Sequence, residues 1–247
     1  MNRSVTTEYG KRSYRERVKA GGMVFFNVVV KETDLWVSSD RDLSDETRDL
    51  VFKCRHHLEG YIQHHPDFLT TLKPYKDDPF APAIVRDMIR STADIGVGPM
   101  ASVAGAISQF VGAGLMEFSE QVIVENGGDI FLKTNRKASI SIYAGQSPLS
   151  EKIGLRIYPE QMPVGVCSSS GTIGHSLSMG MADAVCILSS SASRADGAAT
   201  AIGNSIRSKK DLANVTDRAK RIEGISGGVV IMDDRMAAWG DIELIDL

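Results

Sequence analysis

The sequence predicts an α+β fold, an antiparallel sheet with helices packed on it. Two observations point there. Stretches of two-residue hydrophobic alternation and stretches of helical periodicity come in blocks: hairpin, helices, strands, two helices, strands. A doubly wound sheet would alternate them one by one. The chain of 247 residues, 43% hydrophobic and 24% charged, is also long enough to bury a sizeable core as a single domain over 1–247. The block order is compatible with a duplicated ββαα unit.

Strands are expected first at Tyr14–Lys19 and, past a Gly21-Gly22 turn, at Met23–Lys31 and Leu35–Ser38. Met23 to Val30 is apolar apart from Asn27 and runs into Lys31 and Glu32 with no small-residue cleavage site, which fits a buried strand better than a signal peptide. Leu43, Thr47, Leu50, Val51, Cys54, Leu58, Tyr61 and Ile62 then recur at helical spacing, with Asp42 or Ser44 as cap and Pro66 as stop. After a loop rich in Pro and Lys, Asp77 or Asp78 is expected to cap a second helix that has Pro79 at its start and Ile84, Met88 and Ile89 inside. Residues 95–116 carry no charge and are long enough to span a bilayer. Their five glycines, Pro99, Ser102, Ser108 and Gln109 keep the hydropathy low, so an internal helix is expected instead. Its small residues (Ala101, Ala104, Gly105, Ser108, Gly112) would let it lie close against a sheet or a ligand.

The period then changes to two. Strands are expected at Val122–Glu125, Ile130–Thr134, Ala138–Tyr143, Leu155–Tyr158, Pro163–Cys167 and Ala184–Ser189, the first pair joined at Asn126-Gly127. Helices at about Arg194–Arg207 and Leu212–Ile222 precede closing strands around Val229–Met232, Met236–Trp239 and Ile242–Ile245.

A formal charge of -3, from 28 basic and 31 acidic residues, argues against a nucleic-acid partner. The basic residues of the N-terminal stretch (Arg3, Lys11, Arg12, Arg15, Arg17, Lys19) read as a solvated terminus, with a partner-binding arm as the alternative. Three widely spaced cysteines without a C-x-x-C pair exclude a disulfide framework and a four-thiolate zinc site, and fit a cytoplasmic protein that does not enter the membrane.

Four segments contain residues suited to chemistry. His56-His57 and His64-His65 are tempting, but His57 and His64 stand two helical turns apart, roughly 10 Å, too far for one ion. Asn126-Gly127-Gly128-Asp129 reads as a hairpin turn whose glycines would admit a ligand close to the backbone. Ser169, Ser170, Gly171 and Thr172, before His175, form a hydroxyl- and glycine-rich loop able to cradle phosphates, although they match neither a phosphate-binding loop nor a G-x-S-x-G elbow. Asp196 and Thr200, four apart at the start of a helix, present two hard oxygens to one point, a pair suited to Mg²⁺. For each of the last three, a plain turn, a polar loop or a helix-start carboxylate is the structural alternative.

These segments stand in the order found in the ApbE-like family of FAD:protein FMN transferases, which this chain resembles over residues 95–207. The small-residue helix is followed by Val122-Ile123-Val124-Glu125-Asn126-Gly127-Gly128-Asp129-Ile130. Later come the strand Ala184–Leu188 and Ala195-Asp196-Gly197-Ala198-Ala199-Thr200-Ala201, the most specific of the matches. The resemblance implies a T-fold-like architecture and a bound flavin nucleotide (FAD or FMN). It implies Mg²⁺ held by Asp196 and Thr200 at the pyrophosphate, the Gly127-Gly128 turn beside the cofactor, His175 as a functional histidine, and an acceptor protein as partner. Two departures bear on the reaction. After His175 the chain reads Ser176-Leu177-Ser178-Met179 where the family has Asp-Pro-Arg-Thr, and Val97-Gly98-Pro99 replaces its Ala-Lys-Gly. Three functions follow as alternatives: an Mg²⁺-dependent flavin transferase with Asp196 and His175 in catalysis, a non-enzymatic flavin-binding or assembly protein, or a sulfur-transfer protein. The last would use Cys167, whose thiolate the neighbouring loop amides would favour.

Overall fold

The computed structural model describes residues 22–171 and 180–247; the strand expected at Tyr14–Lys19, as well as Thr172 and His175, lie outside the described residues. The chain opens with the hairpin β1 (Val24–Val30) and β2 (Thr33–Ser39), then α1 (Ser44–His64), α2 (Pro66–Thr70), α3 (Ala83–Thr92), a 3₁₀ turn at Pro99–Ser102 and α4 (Val103–Leu115). Strands β3 (Val122–Asn126), β4 (Asp129–Lys133), β5 (Ala138–Ser141), β6 (Ile153–Ile157), β7 (Val164–Ser169) and β8 (Ala184–Ser189) follow. Helices α5 (Ala192–Ser205) and α6 (Leu212–Ala219) lead to β9 (Ile225–Met232), β10 (Arg235–Gly240) and β11 (Glu243–Asp246).

The main sheet has eight strands in the order β1-β2-β3-β4-β7-β8-β9-β10, every neighbouring pair antiparallel. Along it the sequence hairpin, helices, hairpin occurs twice: β1–β2, α1–α4 and β3–β4, then β7–β8, α5–α6 and β9–β10. A second sheet, in the order β11-β6-β5, is built from three strands that leave this progression.

Side-chain alternation explains the layers. In β8, Val185 and Ile187 join Ala195, Ala199 and Ile202 of α5, while Ala184, Cys186 and Leu188 join Leu155 and Ile157 of the small sheet. β8 is therefore apolar at nearly every position because both its faces are covered. The first half of the sheet buries Leu35, Val37, Val122 and Val124 against Val51, Leu58, Met88, Val111 and Leu115 of the helices. Each such side chain contributes roughly 1.5–3 kcal/mol on burial.

Two local expectations are corrected and one is extended. The first helix does end just before Pro66. The amide of His65 closes α1 on Tyr61 and Ile62, and Pro66 opens α2 at a position where a missing N–H costs nothing. Asp78 does not cap α3, because its carboxylate accepts from the amide of Phe80 (3.0 Å) in a turn and from the Tyr61 hydroxyl (3.0 Å); α3 starts after Pro82. The tight turn between β3 and β4 is Gly127-Gly128, since Asn126 pairs with Asp129. Gly127 has φ of 73°, a conformation glycine adopts without strain.

No helix among the described residues is long and apolar enough to cross a membrane. The uncharged stretch at 95–116 instead supplies the 3₁₀ turn and α4, which packs on β3, β4 and α5.

Candidate functional site

Small residues bring α4, α5 and β7 into backbone contact. A Cβ on Gly105 would stand 2.3 Å from the carbonyl oxygen of Ala192 and 2.7 Å from Cβ of Asp196. One on Gly165 would stand 2.3 Å from Cα of Ala192. The amide of Ala192 donates to Oε1 of Gln109 on α4 at 2.6 Å. Gly105→Val should therefore push α4 away from α5 and lower stability by about 1–3 kcal/mol, or prevent folding. Urea denaturation compared with that of the variant Gly60→Ala checks this, because a Cβ at half-buried Gly60 meets nothing within 4 Å.

That close crossing places Asp196 at the first turn of α4. Oδ2 of Asp196 accepts the amide N–H of Gly105 at 2.9 Å, and the amide of Ala104 also donates to the carboxylate. Ser102, the residue preceding α4, makes no side-chain cap, so a carboxylate from another helix serves instead. On the other side, Nδ2 of Asn126 donates to the carbonyl oxygen of Ala104 at 3.1 Å, which ties the end of β3 to the same turn.

Asp129 begins β4 opposite Cys167 of β7 and is buried, 8% exposed, as is Asp196. The Cys167 thiol and the Ser168 amide lie beside it and favour its charged form, but they donate to the carbonyl oxygens of Ala192 (3.2 Å) and Gly128 (3.0 Å), and its Oδ1 has no hydrogen-bond partner. Burial raises the Asp129 carboxyl well above its ordinary range, and the negative charges of Asp196 and then Glu125 push the same way. Burial likewise raises Asp196, to about 7, against the opposing pull of the Gly105 and Ala104 amides. Two carboxyls thus share a buried space where ionising both without a counter-charge is costly.

Cys167 is corrected by the same geometry. It is fully buried, donates to the carbonyl oxygen of Ala192 at 3.2 Å, and its pKa is raised well above the ordinary thiol value by burial and then by Asp129 and Asp196. The thiolate needed for sulfur transfer is disfavoured there. Alkylation at neutral pH should label Cys167 no faster than the buried Cys54 and Cys186, a comparison that mass spectrometry reads directly.

The remaining candidates fall into two groups. Gly128 lies against Ser168 across the β4–β7 pair, with a hypothetical Cβ 3.2 Å from its carbonyl oxygen. Thr200 is half-buried one helical turn beyond Asp196, and Ser169 ends β7. Ser170 and Gly171 follow, with the Gly171 amide donating to Ala182 at 2.9 Å. Gly171 abuts Gly180, and Gly180 abuts Gly203 near the end of α5; added Cβ atoms would come within 2.0 and 1.9 Å of the respective carbonyl oxygens. Both flanks of residues 172–179 are thereby fixed beside α5. The histidines of α1 stand apart: His64 bonds the carbonyl oxygen of Gly60 at 2.9 Å and His65 stacks on Tyr61 at 4.2 Å. Among the described residues no three His, Cys, Asp or Glu side chains converge as a metal cluster. The meeting of Asp129 with Asp196, and the capping of α4 by Asp196, had no signal in local spacing. The one clue was an Asp among the apolar residues at the start of β4.

This arrangement of antiparallel sheet, helical layer and carboxylate-capped helix defines an ApbE-like fold. Flavinyl transferase ApbE of Pseudomonas stutzeri, in its apo form, superposes with a TM-score of 0.61 over 88% of this chain and 94% of that one, at 14% identity. A mutant of the flavin transferase ApbE of Vibrio cholerae does so with a TM-score of 0.56 over 89% and 97%, at 13% identity. The chain belongs to the family described as AbpE bacteria, whose model it matches over residues 15–227. Among its relatives are UPF0280 proteins of methanogens. That of Methanococcus aeolicus is 39% identical over 226 residues, 89% of this chain and 91% of the relative. That of Methanocella arvoryzae is 40% identical over 217 residues, 87% and 88%.

Proposed function

We propose that this protein binds a flavin nucleotide, FAD or FMN, together with a divalent cation, between the first turn of α4, the Gly127-Gly128 turn, the end of β7 and α5. The observation that carries the reading is the unpartnered Oδ1 of buried Asp129 beside buried Asp196. Oxygen donors with an unmet need for positive charge fit Mg²⁺, which keeps waters and binds through one or two carboxylates plus phosphates. Asp196 and Thr200 would hold the ion, and its chemistry when bound is to neutralise phosphate charge. Asn126, Gly127, Gly128 and Asp129 would line the cofactor side, where a Cβ on Gly127 would meet nothing within 4 Å. Ser169, Ser170 and Gly171 would face the phosphates; Thr172 and His175, which the resemblance adds to the site, lie outside the described residues. The names borne by the solved neighbours support the flavin part of this reading.

Covalent transfer of FMN to an acceptor protein is the narrower activity. The Ser176–Met179 stretch in place of Asp-Pro-Arg-Thr favours a flavin-binding or assembly role with transfer weak or lost. Incubation with FAD, Mg²⁺ and an acceptor peptide, followed by mass spectrometry, should leave the peptide unmodified. Prompt attachment of FMN to its threonine would assign a transferase. The absorption spectrum and mass of any small molecule that co-purifies test the broader reading; a tightly held ligand that is neither a flavin nor a nucleotide would contradict it.

A further inference from the structure

We infer that Asp129 is itself a ligand of the divalent cation, so that Asp129 and Asp196 form a two-carboxylate site able to take the ion before any nucleotide arrives. This deepens the reading above and rests on its placement of the cation at Asp196.

The surroundings of the two groups carry the inference. The polar groups around either carboxylate present hydrogens rather than lone pairs: the Cys167 thiol and Ser168 amide stand beside Asp129, and the Gly105 amide donates to Asp196 with the Ala104 amide next to it. Groups held by donors are arranged as anions rather than as a neutral acid donating its own proton. Neither forms an ion pair with a Lys or Arg among the described residues. A proton on Asp129 would leave Oδ1, or the hydroxyl placed there, still without a partner. A cation meets both needs at once. It satisfies the orphaned oxygen and supplies the charge that burial of two carboxylates demands.

Local architecture keeps the site small and hard. Asp129 is fixed by its register opposite Cys167, and Asp196 by the first turn of α4. No group of three or more His, Cys, Asp or Glu side chains converges among the described residues, so beyond the two carboxylates the positions would fall to hydroxyl, water or phosphate oxygens, which favours Mg²⁺ or Mn²⁺ over zinc. The thiol of Cys167 stays protonated beside the two carboxylates, because burial and then the charges of Asp129 and Asp196 raise its pKa.

Uptake of Mn²⁺, read by loss of the free-ion signal in electron paramagnetic resonance, tests this on the full chain without nucleotide. Wild type should take up the ion, and Asp129→Asn, of the same shape, should weaken uptake by at least about tenfold. Melting with and without MnCl₂ gives a second readout: a cation-dependent rise in wild type that disappears in Asp129→Asn. Equal Mn²⁺ affinity in wild type and Asp129→Asn would overturn the role of Asp129 while leaving the cation at Asp196. Uptake by wild type only when FAD is present would overturn the two-carboxylate site in the same way. No uptake with or without FAD would overturn both this inference and the reading it rests on.

Discussion

Asp196→Ala is expected to abolish cation-dependent binding of FAD, a loss on the order of 100-fold or more in affinity. The substitution removes the carboxylate shared by the proposed cation site and the first turn of α4. It also strips the buried Gly105 and Ala104 amides of their acceptor, which costs about 1–3 kcal/mol of stability. Asp196→Asn separates the two effects, since its amide oxygen still accepts from Gly105 while its charge is gone. Isothermal calorimetry should find Asp196→Asn folded and deficient in Mg²⁺-dependent FAD binding. Wild-type affinity in Asp196→Asn would reduce Asp196 to a helix cap.

The second large effect is on stability against pH, in protein free of metal and nucleotide. In the unfolded chain both aspartates ionise near pH 3.9. In the folded protein burial raises both carboxyls, Asp196 to about 7, so the native state holds protons that the unfolded state has released. For Asp196 the stabilisation is fully present below about pH 4 and is lost as pH rises through about 7, on the order of 4 kcal/mol, and Asp129 acts in the same direction. Other carboxylates act in the opposite sense at the acid end. Asp94, lowered by its hydrogen bond to Arg194, and Asp211, lowered by the Arg207 amide, lose their contribution as they become protonated. Melting temperature should therefore fall between pH 5 and pH 8, and Mg²⁺ should restore it at the alkaline end. Asp129→Asn should flatten the profile. A wild-type profile that rises from pH 5 to 8 without metal would contradict the electrostatics of the site.

Much of this was legible in the sequence because its causes are local. The five apolar residues of β8, the small-residue pattern of α4 and the Asp196–Thr200 spacing on α5 each follow from periodicity, and the structure places them in those elements. What stayed hidden depends on pairings between distant residues. Glu243–Asp246 pairs with Ile153–Ile157, and that pairing, absent from any short window, makes a second sheet. The β3–β4 register moved the turn to Gly127-Gly128 because Asn126 and Asp129 face each other. The carboxylate pair needs the β4–β7 register and the α4–α5 crossing at once, so neither Asp129 nor Asp196 announced the other. Cys167 misled for the same reason: the loop amides that would lower its pKa are visible in sequence, and the burial and the two carboxylates that raise it are not.

The most direct test of a cation-dependent flavin nucleotide site is a calorimetric titration of the wild-type protein with FAD, once after chelation and once with excess Mg²⁺. Saturable binding that appears with Mg²⁺ and is lost on chelation is the expected result. Equal FAD affinity in the two titrations, or none in either, would contradict it.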